Sequence, residues 1–227
     1  YAHNPSDKNS LSGDKILCIT EDAQQNIWLG GFLSGIDVLD KSTGVIRNYS
    51  YLPGENSLSN NDVRDIFIEN DTAVWIATNG GGLNLHNPQT QRFRHLKDST
   101  QPAMSSNWCL RIFQDSEGYL WIGTYDGITR IDPSRKHFEI YSKGSEPASL
   151  SNEWVYALAE DSKRNIWVGT ANGLNYFDRE TNTFKRIQPK DGFPNEVINV
   201  ILVYNDREIW LITNHGLIRF NPVTGKF

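Results

Sequence analysis

Two tryptophans, Trp108 and Trp154, are the residues whose type and spacing best fit a binding chemistry. An indole face can stack on the apolar C–H face of a pyranose ring while neighbouring polar groups pair with the sugar hydroxyls. The polar residues that flank the two tryptophans in sequence are Asn107, Arg111, Asn152 and Tyr156. These six residues form the candidate ligand-binding site. The alternative, which stays open here, is that both rings pack under loops or against each other.

Catalytic and metal-binding patterns are absent from the sequence. The five histidines show no spacing typical of metal ligands. The glycine run after Asn79 lies between two predicted strands with no helix after it, so we interpret it as a turn and not as a phosphate cradle. Acidic residues are numerous, but no glycosidase pair can be recognised among them. We therefore predict no catalytic residues, no metal site and no cofactor.

Composition narrows the classes of partner. The chain has 227 residues, 38% of them hydrophobic, and a formal net charge of -5. The absence of a Lys/Arg cluster argues against direct binding of nucleic acid. No apolar run approaches the roughly 20 residues of a membrane span, so we expect any membrane attachment to lie outside this segment. Two cysteines are too few for a disulfide scaffold.

The sequence contains a repeat of about five copies. Its marker tryptophans are Trp28, Trp75, Trp121, Trp167 and Trp210, which lie 47, 46, 46 and 43 residues apart. Seventeen positions before each marker lies a bulky apolar residue: Leu11, Leu58, Met104, Leu150 and Phe193. In this register Trp108 and Trp154 occupy the same position, which Lys15, Asp62 and Val197 fill in the other copies. Such a mixed position is not a uniform core position, and we place it near one mouth of the fold.

Each copy predicts four short strands, for example at 155–158, 166–169, 174–177 and 184–187. Asp22, Asp115 and Asp161 end the first strand, where an Asx turn can replace the lost ladder hydrogen bonds. Radial stacking of such sheets buries both of their faces. We therefore predict an all-β fold: a single β-propeller segment, 1–227, of about five four-stranded antiparallel blades. The approximate blades are 10–53, 57–100, 104–145, 149–190 and 193–227. The marker tryptophans are expected in equivalent buried positions between blades.

Residues 165–178, Asn-Ile-Trp-Val-Gly-Thr-Ala-Asn-Gly-Leu-Asn-Tyr-Phe-Asp, resemble the repeat of two-component-regulator propellers, as do residues 119–124. This resemblance implies the periplasmic sensor region of a membrane-bound hybrid histidine kinase of the Bacteroidetes type. In that family two seven-bladed propellers and a β-sandwich precede the membrane span, the kinase and the regulator domains. The implied ligand is an oligosaccharide.

For this chain the resemblance implies a non-enzymatic, extracytoplasmic ligand-sensing segment. Its expected partners are an oligosaccharide and the remaining blades and kinase region of the same protein, and a homodimer stays open. Five blades fall short of seven, so we expect a fragment of a larger propeller with one blade face unpaired, which predicts exposed apolar surface or self-association. The alternatives are a carbohydrate lyase or glycosidase on the same fold, and a pure protein-interaction scaffold.

Overall fold

The computed structural model describes residues 1–144, 148–187 and 196–227. Within these ranges no helix is long and apolar enough to cross a membrane. The first sheet holds β1 (Ile16–Glu21), β2 (Ile27–Gly31), β3 (Gly35–Leu39) and β4 (Ile46–Tyr49). The second holds β5 (Val63–Asn70), β6 (Ala73–Thr78), β7 (Gly82–Asn87) and β8 (Arg92–Leu96). The third holds β9 (Cys109–Gln114), β10 (Leu120–Thr124), β11 (Gly127–Ile131) and β12 (Phe138–Tyr141).

The fourth sheet holds β13 (Val155–Glu160), β14 (Ile166–Thr170), β15 (Gly173–Asp178) and β16 (Thr183–Arg186). The fifth has three strands in the described part of the chain: β17 (Ile198–Asn205), β18 (Glu208–Thr213) and β19 (Gly216–Phe220). We call these sheets blades 1 to 5. Phe193 and the junction of the predicted fourth and fifth blades lie outside the described residues.

The chain divides into two compact units, Tyr1–Ile112 and Phe113–Phe227, with the boundary inside β9. In the first unit, Trp28, Ile36 and Val38 of blade 1 share a core with residues of blade 2, namely Val63, Ile66, Val74 and Ile76. In the second unit, Trp167 and Leu174 of blade 4 share a core with residues of blade 5, namely Ile198, Ile201, Ile209, Leu211 and Phe220. Sheets that bury their faces against neighbouring sheets are the packing of a β-propeller, which confirms the predicted fold.

The marker tryptophans occupy one register, at the second or third residue of each second strand. Trp75 lies opposite Phe67 and Leu85, and Trp167 lies opposite Ala159 and Tyr176. Trp210 lies opposite Leu202 and Arg219. The predicted equivalence of these positions is therefore confirmed.

A carboxylate six residues earlier fixes four of the five rings. The indole Nε1 atoms donate to carboxylate oxygens at 2.7 to 2.9 Å, in the pairs Trp28–Asp22, Trp75–Glu69, Trp121–Asp115 and Trp167–Asp161. The other oxygen of Asp22 accepts from the backbone N–H groups of Gln24 and Asn26, which closes the predicted turn. One side chain thus ties the end of the first strand to the second strand.

Trp210 departs from this pattern. Tyr204 stands where the other copies have a carboxylate, and the Trp210 ring is only partly buried. The prediction that all five markers are buried is therefore wrong for Trp210. The reason is that no described residue covers the face of blade 5, where Leu202, Ile212 and Leu217 are 61%, 48% and 62% exposed. The predicted exposed apolar surface is present on this face.

His86 is a titratable group enclosed by aromatic rings in the first unit. It is fully buried, its ring stacks on Phe93 at 4.1 Å, and Tyr49 lies at 5.1 Å. Burial lowers the pKa of His86 from 6.5 to about 4, and the nearby Arg92 backbone opposes this shift. Neither ring nitrogen of His86 has a hydrogen-bond partner among the described residues. The folded protein therefore holds this imidazole neutral.

We expect His86 to make stability depend on pH. Because its pKa is lowered in the folded state, the unfolded chain binds the proton first as pH falls below 6.5. The contribution of the neutral His86 to the free energy of unfolding is fully present above pH 6.5. It is lost progressively toward pH 4, by about 2 kcal/mol between pH 7 and 5. His86→Phe should remove this part of the pH dependence. Urea unfolding of both proteins at several pH values tests it, and parallel profiles would contradict the prediction.

Candidate functional site

The position predicted to lie at a mouth of the fold has the same backbone environment in several blades. The first residue after the second strand donates its N–H to the carbonyl at this position: Phe32 to Lys15, Asn79 to Asp62 and Ala171 to Trp154, at 2.8 to 2.9 Å. The residue just before the position accepts from the glycine that opens the third strand of the preceding blade. These bonds are Gly35 to Asn61, Gly82 to Asn107 and Gly127 to Glu153, at 2.7 to 2.8 Å.

Trp108 is held in the first unit with half of its surface exposed (51%). Its backbone pairs with Asn79 of the preceding blade in an isolated bridge. A side chain on Gly80 would come within 3.4 Å of the Trp108 Nε1 and 3.8 Å of the Asn60 Nδ2, so the glycine leaves room for the ring. Trp108 is therefore an exposed aromatic surface beside Gly80, and the Asn60 amide also lies close to that glycine.

The two polar residues predicted beside Trp108 have different roles. The Asn107 carbonyl accepts from the N–H groups of Gly80 and Gly82, and its Oδ1 accepts from the Asp98 N–H at 3.1 Å. Asn107 therefore shapes the loop under the ring. Arg111 lies in β9, close enough to the partly buried Asp65 for its charge to oppose the burial that raises the pKa of that carboxyl.

Trp154 is 47% exposed in the second unit and rests on one tyrosine, which in turn contacts a second. The Tyr125 ring meets it edge-on at 5.4 Å, and Tyr156 meets Tyr125 edge-on at 6.3 Å. Burial, and then the proximity of Tyr125, raises the pKa of Tyr156. Asn152 accepts from the Trp154 N–H at 2.9 Å, so it shapes the backbone of the loop. Of the three predicted residues of this unit, Asn152 thus bonds to the Trp154 backbone, and Tyr125 links Trp154 to Tyr156.

Sequence reasoning missed the polar groups that blade 2 contributes near Trp108. Asp62, only 3% exposed, accepts from the Arg64 Nη2 at 2.7 Å and from the Asn79 Nδ2 at 2.9 Å. The Asn60 Nδ2 and the Trp108 Nε1 both lie within 4 Å of the position that a Cβ on Gly80 would take. The available signal was the glycine run after Asn79, which brings the chain of blade 2 close to an aromatic residue of blade 3.

The arrangement suits reversible binding. Half-exposed indoles can stack on the apolar face of a sugar, and polar side chains close by can pair with its hydroxyls. Among the described residues no three histidine, cysteine or carboxylate side chains are placed to hold a metal ion. Use of Trp108 and Trp154 by one ligand stays a prediction.

The repeats and the fold of this chain are similar to those of known proteins. The family described as two component regulator propeller matches residues 10–32, 103–126 and 149–172. The extracellular domain of BT3049 from B. thetaiotaomicron, assigned as a hybrid two component system, is 24% identical over 98% of this chain and 29% of that chain, with a TM-score of 0.80. The extracellular domain of BT4673 from the same organism is 20% identical over 96% of this chain and 30% of that chain, with a TM-score of 0.75. This chain thus spans less than a third of either relative.

An enzyme shares the fold at lower similarity. The virginiamycin B lyase of Staphylococcus aureus is 18% identical over 95% of this chain and 67% of that chain, with a TM-score of 0.66. No curated protein matches the chain. The blade packing and the marker register show a β-propeller fold, and three segments of this chain match the two component regulator propeller repeat.

Proposed function

We propose that this chain is a non-enzymatic, periplasmic ligand-sensing segment of a hybrid two-component regulator. It binds an oligosaccharide and signals to a kinase that lies outside this chain. The observation that carries the proposal is the half-exposed state of Trp108 and Trp154, which occupy the same position in consecutive blades. The likeness to extracellular domains of hybrid two component systems supports the sensor role and the extracytoplasmic location.

The support around each ring favours binding over a packing role. A core tryptophan such as Trp121 is fully buried and has a carboxylate partner, whereas about half of the Trp108 and Trp154 surfaces face solvent. A large apolar ring left exposed loses the favourable burial that usually holds it in place. Tyr125 supports one ring and the Gly80 backbone the other, so both are positioned without being covered.

Signalling sets a further requirement. Ligand binding can shift a two-state sensor only by its difference in affinity for the two states. Residues that contact the ligand must therefore contact it differently in the two arrangements of the whole regulator. In this proposal the partners are the oligosaccharide, the further blades and the kinase region of the same protein.

We expect Trp108→Ala and Trp154→Ala each to weaken oligosaccharide binding about fivefold, which corresponds to the roughly 1 kcal/mol of one aromatic stacking contact. Titration calorimetry with host and dietary glycan fragments measures the affinity, and thermal unfolding measures the stability. The melting temperature should stay nearly unchanged because half of each ring is already in water.

Tyr204→Ala is a matched control, because Tyr204 is a 71% exposed aromatic residue outside the candidate site. It should leave the affinity unchanged. The glycan should also be recovered intact after incubation, since its consumption would favour the lyase or glycosidase alternative. Binding that survives both tryptophan substitutions, or a large fall in melting temperature, would overturn the assignment of these rings to the ligand.

A further inference from the structure

A cleft between blades 1 and 2 lies away from Trp108 in the first unit. Its volume is about 200 Å³, and its two walls belong to sheets that share one core. It opens beside the turn from β1 to β2, where Asp22 bonds to the Trp28 indole, and beside the turn that begins at Pro88 after β7. Trp108 instead pairs with Asn79 just after β6, at the opposite end of the strands. The cleft is therefore a separate site.

The junction of blades 3 and 4 shows how the chain fills the same place with its own side chains. The Arg130 guanidinium lies 5.4 Å from the centre of the Trp121 ring. The Arg179 guanidinium joins the two blades, since it donates to carboxylates of both at 2.8 to 3.3 Å. At the junction of blades 1 and 2 the equivalent positions hold Val38 and Pro88. The cleft is open there because neither residue reaches across it.

The charges beside the cleft change together with the arginines. Arg47 of blade 1 stands where blade 3 has Glu139, and it is exposed with no hydrogen-bond or ion-pair partner among the described residues. Asp22 also lines the cleft, but its two oxygens already accept four hydrogen bonds within its own turn and from the Trp28 indole. At the rim, one oxygen of Asp71 accepts from the Gln24 amide at 3.0 Å. Arg47 is therefore the charged group that is left for a ligand.

The cleft has an apolar floor and a rim of amides. Ile68 and Pro88 are half-buried at the floor, above the buried Trp28 and Val74. The rim carries five side-chain amides, those of Gln24, Asn26, Asn70, Gln89 and Gln91. An amide both donates and accepts, which suits the hydroxyl groups of a sugar, while an apolar floor suits its C–H face. A volume of about 200 Å³ admits one sugar residue and not a chain of them.

We propose that this cleft binds a single sugar residue that carries a carboxylate, a hexuronic acid. The Arg47 guanidinium pairs with the carboxylate, for which the planar fork of arginine is well suited. The rim amides pair with the hydroxyls, and Ile68 and Pro88 contact the C–H face of the ring. The proposal does not depend on ligand binding at Trp108 and Trp154, because the cleft shares no residue with the candidate site.

Titration of the whole isotope-labelled chain with sodium glucuronate tests the proposal, followed by nuclear magnetic resonance of the seven indole N–H groups. The Trp28 signal should move and saturate with a dissociation constant of about 1 mM, which is ordinary for a ligand of this size. Glucose, which lacks the carboxylate, should bind about tenfold more weakly. A Trp28 signal that stays in place, or glucose that binds as tightly as glucuronate, would overturn the proposal. Movement of the Trp108 or Trp154 signal alone would assign glucuronate to the candidate site and would overturn it too.

Three variants identify the groups that bind. Arg47→Gln should weaken glucuronate binding about tenfold and leave glucose binding unchanged. Arg94→Gln is the matched control, because Arg94 has the same repeat position in blade 2, is exposed and does not line the cleft. Asn26→Tyr introduces the residue that blade 3 has at this position, and its ring should block the cleft to both sugars. An unchanged melting temperature of Arg47→Gln confirms folding. Glucuronate binding that survives Arg47→Gln, or that falls equally in Arg94→Gln, would contradict the pairing of Arg47 with the carboxylate.

Discussion

Trp121→Ala should lower the free energy of unfolding by about 3–5 kcal/mol, the usual cost of removing a large buried aromatic ring. Trp121 has no exposed surface, and its Nε1 donates to the Asp115 Oδ2 at 2.8 Å. The Phe177 ring meets it edge-on at 4.9 Å, and the Arg130 guanidinium lies 5.4 Å from its centre. Removing the ring leaves a cavity and takes one donor from a buried carboxylate. Urea unfolding followed by circular dichroism measures the loss.

Two further variants apportion this effect. Trp121→Phe keeps most of the apolar contact but removes the indole donor, so it should cost about 1–3 kcal/mol. Trp210→Ala changes the same repeat position where the ring is partly exposed and Tyr204 replaces the carboxylate. It should cost less than either change at Trp121. If both tryptophan-to-alanine changes lowered the free energy of unfolding equally, the marker position would contribute equally to stability in both blades. That result would contradict the difference in burial between Trp121 and Trp210.

The asymmetry of the carboxylate partners shows what a repeat can and cannot predict. The spacing of the tryptophans predicted their common register because a repeat reproduces the same backbone position in each copy. It left the bond from indole to carboxylate unnoticed, although an acidic residue stands six positions before four of the five markers. That signal is present in the sequence, but an Asx turn alone also accounts for Asp22, Asp115 and Asp161.

Other contacts follow from the neighbouring blade and not from the repeat. Arg179 donates to the Asp115 Oδ2 at 3.0 Å, in the role that the Asn165 side chain has toward Asp161 at 2.8 Å. The third blade has Tyr119 where the fourth has Asn165, so a residue from the next blade supplies the missing donor. Such substitutions depend on side chains distant in sequence, and a single copy of the repeat does not reveal them.

For the candidate site, the sequence predicted the exposure of the two tryptophans but not the residues that surround them. The exposure of Trp108 and Trp154 agrees with a register position where Lys15 is also exposed, although Asp62 at the same position of blade 2 is buried. The support of Trp154 by Tyr125 arises because the loop after one second strand meets the start of the next blade. The amide and carboxylate near Trp108 come from blade 2 in the same way, so flanking residues such as Asn107 were a poor guide to the ring's polar neighbours.

Gly127→Ala should destabilise the second unit by about 2–4 kcal/mol, through backbone strain and a displaced strand. Gly127 has a φ of +85°, which residues with a side chain rarely adopt. A Cβ there would lie 2.1 Å from the carbonyl oxygen of Tyr141, and a backbone atom cannot move aside without disturbing β12. A positive φ and a tight backbone approach are thus both present at Gly127.

Gly225→Ala separates the two causes. Gly225 also has a positive φ, +69°, but no atom lies within 4 Å of the position that its Cβ would take. It should therefore cost only the conformational strain, about 1 kcal/mol. Urea unfolding of both variants, with the unmodified chain as reference, gives the difference that belongs to the contact with Tyr141. If Gly127→Ala cost no more than Gly225→Ala, β12 would be able to move aside without loss of stability. The close approach of β11 to β12 would then not explain the need for a glycine at this position.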